Sequence, residues 1–178
     1  MRKFFEIVLA CLAVLSFAAC EKNSADKPEE EDETDYIVDW GPVEVIVEVV
    51  DDKGNDLLNP NNPDNMIEGS TISFRGKVYE ALLPSAVTKE YLAIIEGFLL
   101  RKYTTEEGAV KYRLVFGEID GAKDMDEDLV VTLPDGTTGT IHYHCSDHHG
   151  GKHPSCDRSW TFNGVKNDNC IFTFKISR

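Results

Sequence analysis

Apolar and polar positions alternate through much of the chain beyond residue 42. Within residues 43–50 (VEVIVEVV), Val43, Val45, Val47 and Val49 share one face, while Glu44, Ile46, Glu48 and Val50 share the other. A period of two in β-branched residues predicts a strand with one dry face and one mixed face. Comparable runs predict short strands over 71–74, 78–82, 97–103, 109–119, 129–133, 138–145, 158–162 and 170–176. Turn chemistry separates them: Asp51-Asp52-Lys53-Gly54-Asn55-Asp56, the NPNNPDN loop at 59–65, Arg75-Gly76-Lys77, Pro134-Asp135-Gly136-Thr137 and Asn163-Gly164. Residues 84–95 are mixed, because Val87, Tyr91, Ile94 and Ile95 fit helical spacing. A single helical turn near 85–90 followed by a strand is expected there. About eight short strands with frequent turns predict an all-β domain, an antiparallel β-sandwich of immunoglobulin-like type. No glycine-rich phosphate loop follows a strand, and no internal repeat is present.

The first residues follow a different pattern. Arg2 and Lys3 precede an apolar run over 7–19 (IVLACLAVLSFAA). That run is shorter than the ~20 residues a spanning helix needs, so it reads as the core of a signal peptide over 1–19. Phe17-Ala18-Ala19-Cys20 closes it. Small residues ahead of a cysteine resemble the bacterial lipobox, with Phe17 standing where that pattern prefers Leu. The resemblance implies lipidation of Cys20 and an outer-membrane lipid anchor made of acyl chains such as palmitate. Residues 20–35 follow as an acidic segment (EKNSADKPEEEDETD after Cys20) with almost nothing to bury, and are expected to be a disordered tether. It also resembles the acidic stretch of surface-exported Bacteroidota lipoproteins, which implies an outward-facing location. Residues 36–178 remain for the folded domain, enough for a real core.

Charge narrows the partners. The chain carries 18 basic and 32 acidic side chains, a net charge of −14. Such a surface repels phosphate backbones, so no nucleic acid is expected as a partner.

All five histidines fall in one stretch, IHYHCSDHHGGKHPSC, as His142, His144, His148, His149 and His153. His142 and His144 are two apart on an expected strand, so both imidazoles leave one face and Ile141, Tyr143 and Cys145 leave the other. That pair is half of a zinc or copper site, which His148, His149, His153 or Asp147 could complete. Ordinary solvent-facing histidines are the competing reading. In an oxidising compartment the cysteines pair. Cys145 with Cys156 is the favoured disulfide, closing a loop worth about 2–3 kcal/mol. Cys170 shares parity with Phe172, Phe174 and Ile176, so it points inward, as a buried thiol or a competitor for Cys145. A Cys145 thiolate with a neighbouring His and Asp147 offers only a superficial nucleophile, and no catalytic residue is assigned. Two acidic groups, Asp51/Asp52/Asn55/Asp56 and Asp124/Asp126/Glu127/Asp128, lack calcium-loop spacing and read as solvated turns. Trp160 is expected in or near the core, and Trp40 lies at the tether junction.

Phe116-Gly117-Glu118-Ile119-Asp120-Gly121, Leu133-Pro134-Asp135-Gly136 and Trp160-Thr161-Phe162-Asn163-Gly164 before a last apolar strand resemble a group of small Bacteroidota envelope lipoproteins over roughly 43–178. The resemblance implies a β-sandwich envelope protein with no assigned reaction. Taken together, the expectation is a surface-anchored, non-catalytic module that binds protein or glycan or serves structurally. The alternative is a zinc- or copper-binding envelope protein using the histidine-rich loop.

Overall fold

The computed structural model describes residues 43–83, 97–119, 124–148 and 155–178, the side chains of Glu118 and Asp147 excepted. All belong to the compact unit Val38–Arg178. The expected signal peptide, Cys20, the tether, Trp40 and the helical turn near 85–90 lie outside the described residues. The described chain is all-β. Its strands are β1 (Val43–Asp51), β2 (Thr71–Phe74), β3 (Lys77–Leu82), β4 (Phe98–Thr104), β5 (Val110–Ile119), β6 (Met125–Thr132), β7 (Thr138–His148), β8 (Ser155–Phe162), β9 (Val165–Asn167) and β10 (Ile171–Ile176). They form one ten-stranded sheet in the order β10-β1-β5-β4-β3-β2-β6-β7-β8-β9. The sheet curls until it is nearly closed into a barrel. Pairing is parallel between β1 and β10 and between β3 and β4, and antiparallel elsewhere. β1 is an interior strand, bonded on both sides.

Alternation decides what faces inward. Val43, Val45, Val47 and Val49 are buried in the core, as the period of two requires. They meet Phe98, Leu114 and Phe116 from their own half of the sheet and Ile72, Leu129, Val131, Ile141 and Tyr143 from the other, in one continuous cluster. Aromatic rings close the seam where no hydrogen-bonded ladder runs. Phe162 of β8 lies 5.8 Å from Phe172 and 5.1 Å from Phe174 of β10, and Trp160 lies 5.6 Å from Phe172. Gly139 of β7 makes room for this: a Cβ there would fall 2.6 Å from Phe174 Cζ and 2.7 Å from Phe162 Cε2.

The β1–β2 connection is more than a loop. Leu57, Leu58, Met66 and Ile67 are buried on either side of the NPNNPDN segment and join the core. Main-chain bonds from Leu57 N–H to Val49 O and from Met66 N–H to Leu57 O tie it down. The buried Ser70 hydroxyl donates to the Met66 carbonyl. Two tips are two-residue turns with both residues at positive φ, Arg75 (50°)-Gly76 (76°) and Asn163 (51°)-Gly164 (77°). That geometry matches the right-handed twist of the strands they join.

The outer face of the first half carries an apolar row. Register aligns Ile171, Ile46, Val115, Leu99 and Leu82 across β10, β1, β5, β4 and β3. Val115 is 1% exposed although its side chain leaves the core face. Arg101 sits in register with Arg113, one pleat to one side of Val115, and Glu44 lies against Gly117, one pleat to the other. Their 2.6 Å ion pair therefore crosses over Val115 and helps to cover it.

Candidate functional site: the histidine-bearing hairpin

β7 and β8 form a long hairpin on which the chemically dense stretch is displayed. Ile141, Tyr143 and Cys145 are buried, while His142 and His144 face outward, as the alternation predicts. Tyr143 stacks on Trp160 with centroids 4.3 Å apart, giving the histidines a rigid floor. Trp160 is buried in the core, as expected from its parity. Burial pushes the Tyr143 phenol up, with the Arg158 guanidinium beside it acting in the opposite sense. The Tyr143 hydroxyl is buried and completes no hydrogen bond of good geometry.

Cys145 and Cys156 form a disulfide with Cα atoms 6.5 Å apart. The strands do not end at this bridge. Cys145 is opposite Arg158 and Cys156 is opposite Asp147, and pairing continues to His148 opposite Ser155. The bridge is thus a diagonal staple inside the ladder rather than a clasp at the base of a free loop. Bound in it, Cys145 offers no thiolate. Cys170 is a free thiol, half-buried against the core.

The outward side chains pair with acids across strands. Register puts Asp128 opposite His142 and Asp126 opposite His144. His142 Nδ1 is 2.9 Å from Asp128 Oδ1, and its Nε2 is 3.0 Å from Asp126 Oδ1. His144 Nδ1 is 3.4 Å from that same Asp126 oxygen. A doubly protonated imidazole can donate to two carboxylates at once, and a neutral one to only one of them. Farther along β7, His148 Nε2 is 3.3 Å from Asp157 Oδ2. His149 and His153 lie outside the described residues. Among the described residues no group of three or more His, Cys, Asp or Glu side chains is placed so that it could hold a metal ion. The carboxylates Asp126 and Asp128 are the members of this cluster that sequence reasoning placed in a turn instead. The available signal was an acid at every second position, 124, 126 and 128, ahead of an apolar run.

The other acidic group serves its own turn. Asp51 Oδ1 accepts from the Lys53 and Asn55 amides, and Oδ2 accepts from Asn55 Nδ2. The Asn55 side chain, foremost among these contacts, holds the Asp51 carboxyl below its usual range. Asp56 accepts from the Leu58 and Tyr112 amides. An open cavity of about 490 Å³ lies beside this turn, lined by Asp51, Asn55, Asn59, Asn62 and Arg178 among others. It is polar and built from residues that satisfy one another.

Comparison with known protein families, with curated proteins and with solved structures finds no match. The reading of this hairpin therefore rests on its own geometry.

Proposed function

We propose that the chain is an envelope lipoprotein of the Bacteroidota type, held at the outer membrane through acyl chains on Cys20. The acidic segment 20–35 carries a non-catalytic module, residues 36–178, that binds a protein or glycan outside the cell or serves structurally there. The Cys145–Cys156 disulfide is the observation that carries this reading. Such bridges persist in oxidising compartments outside the cytoplasm. The leader-like residues 1–19 supply the route to one. The staple also gives the β7–β8 hairpin the rigidity that a recognition element on a scaffold needs. The two halves of the sheet, β10-β1-β5-β4 and β2-β6-β7-β8-β9, are read as the facing layers of an immunoglobulin-like sandwich bridged by β3.

Metabolic labelling in an envelope-bearing bacterial host tests the anchor. The wild-type chain is expected to take up labelled palmitate, and Cys20→Ala to lose the label. Protease added to intact cells is expected to shave off the folded module. An unlabelled, soluble chain with Cys145 and Cys156 reduced would overturn the reading.

A further inference from the structure

The His–Asp contacts on the outer face of β6 and β7 are not independent pairs. Asp128 Oδ1 holds His142 by Nδ1 at 2.9 Å, and this turns Nε2 along the face toward Asp126 Oδ1 at 3.0 Å. His144 Nδ1 comes to the same oxygen at 3.4 Å. An imidazole fixed through one nitrogen by a carboxylate, with the other nitrogen directed into a cluster of further donors, is how a metal-ligating histidine is oriented. The two nitrogen–oxygen separations, 3.0 and 3.4 Å, are near those of donors around one ion. Donors about 2.0–2.1 Å from a tetrahedral zinc ion stand roughly 3.3–3.4 Å from one another.

We propose that His142 Nε2, His144 Nδ1 and an Asp126 carboxylate oxygen bind one divalent transition ion of the zinc–copper class, with Asp128 as the positioning residue. As the side chains stand, Asp126 Oδ1 lies against both rings, and no three His, Cys, Asp or Glu among the described residues are placed to hold a metal ion. The ion takes the place of the shared protons. Side-chain rotation brings the ligands in while the β6–β7 ladder stays fixed. His144 and Asp126 are free to make that rotation, since their side chains are 50% and 72% exposed. Two imidazoles and one carboxylate suit zinc or copper better than calcium or magnesium, which take mainly oxygen donors. The fourth position is left to water. The acidic surroundings, Asp128 on β6 and Asp157 on β8, attract a cation to the face. The assignment is independent of how the chain is anchored.

Tag-free protein titrated calorimetrically with Zn²⁺ and with Cu²⁺ tests it. One equivalent of each is expected, with copper tighter, following the usual order of divalent-ion affinities. His142→Ala, His144→Ala and Asp126→Asn are each expected to weaken binding by at least about tenfold, and Asp128→Asn by about 10–100-fold through lost orientation. His148→Ala should leave affinity unchanged. The electron paramagnetic resonance spectrum of the Cu²⁺-loaded protein should show coupling to two imidazole nitrogens, reduced to one in His144→Ala. Unchanged denaturation midpoints would show that the variants remain folded, and these outward side chains carry no core packing. The proposal is overturned if no saturable binding occurs, if His144→Ala binds as tightly as wild type, or if binding disappears only when His149 and His153 are replaced.

Discussion

Two residues show how tightly local surroundings constrain this protein. Gly139 has a strand conformation that any residue could adopt, yet the Phe162 and Phe174 rings occupy the space of its missing Cβ. Gly139→Ala is expected to destabilise the protein by about 1–3 kcal/mol through overpacking, read as a lower denaturant midpoint. Tyr103 is constrained by electrostatics instead. Its hydroxyl donates to Glu48 Oε1 at 2.7 Å, and the Arg113 guanidinium lies 4.8 Å from its ring centroid. Burial first, then the Glu48 hydrogen bond and charge, push its phenol up to about 12. Below the ordinary tyrosine range of about 10 both folded and unfolded chains keep this proton, and the contribution is fully present. As pH rises past that range the unfolded chain loses the proton first. Stability therefore declines until Tyr103 itself ionises near 12. Phenolate absorbance of the folded protein should show a late titration step that Tyr103→Phe removes, together with part of the alkaline loss of stability.

At the scale of elements, the β7–β8 hairpin is set by its staple. Replacing Cys145 and Cys156 together with serine is expected to cost about 2–3 kcal/mol, mostly by loosening the unfolded chain, and a denaturant series on both proteins checks it. The same hairpin shows where sequence reading succeeds and where it stops. The inward parity of Tyr143, Cys145 and Trp160 was legible because alternation alone decides which face a side chain leaves. Strand length was not. β7 continues to His148 and β8 begins at Ser155, through polar residues that carry no apolar period and are held by their ladder partners. β6 likewise begins at Met125, in a charged run whose acids find Arg75 and the β7 histidines across the sheet. Those partners are distant in sequence, so a strand read alone looks like a turn. β9 has only three residues and no pattern to read.

For the whole molecule, the all-β class followed from the repeated period of two, and the joining of the strands into a single sheet did not. That depends on β3, which pairs antiparallel with β2 and parallel with β4. No local pattern announces a parallel partner. The two halves share one apolar cluster rather than owning one each. Unfolding of the described domain is accordingly expected to be a single cooperative transition, with far- and near-ultraviolet circular dichroism changing together. Two separated transitions would mean that the halves are independent.

The place of β1 has a consequence for load. The strand is clamped between β10 and β5, and everything upstream of Val43 leads into its first residue. A pull applied to Val43 along the strand axis loads the strand's pairing with both neighbours. It strains the rungs on both flanks together in shear, instead of peeling them apart singly from a free border. A module gripped at its far side and tugged from its N-terminal end would thus meet the traction with a strand braced on both flanks.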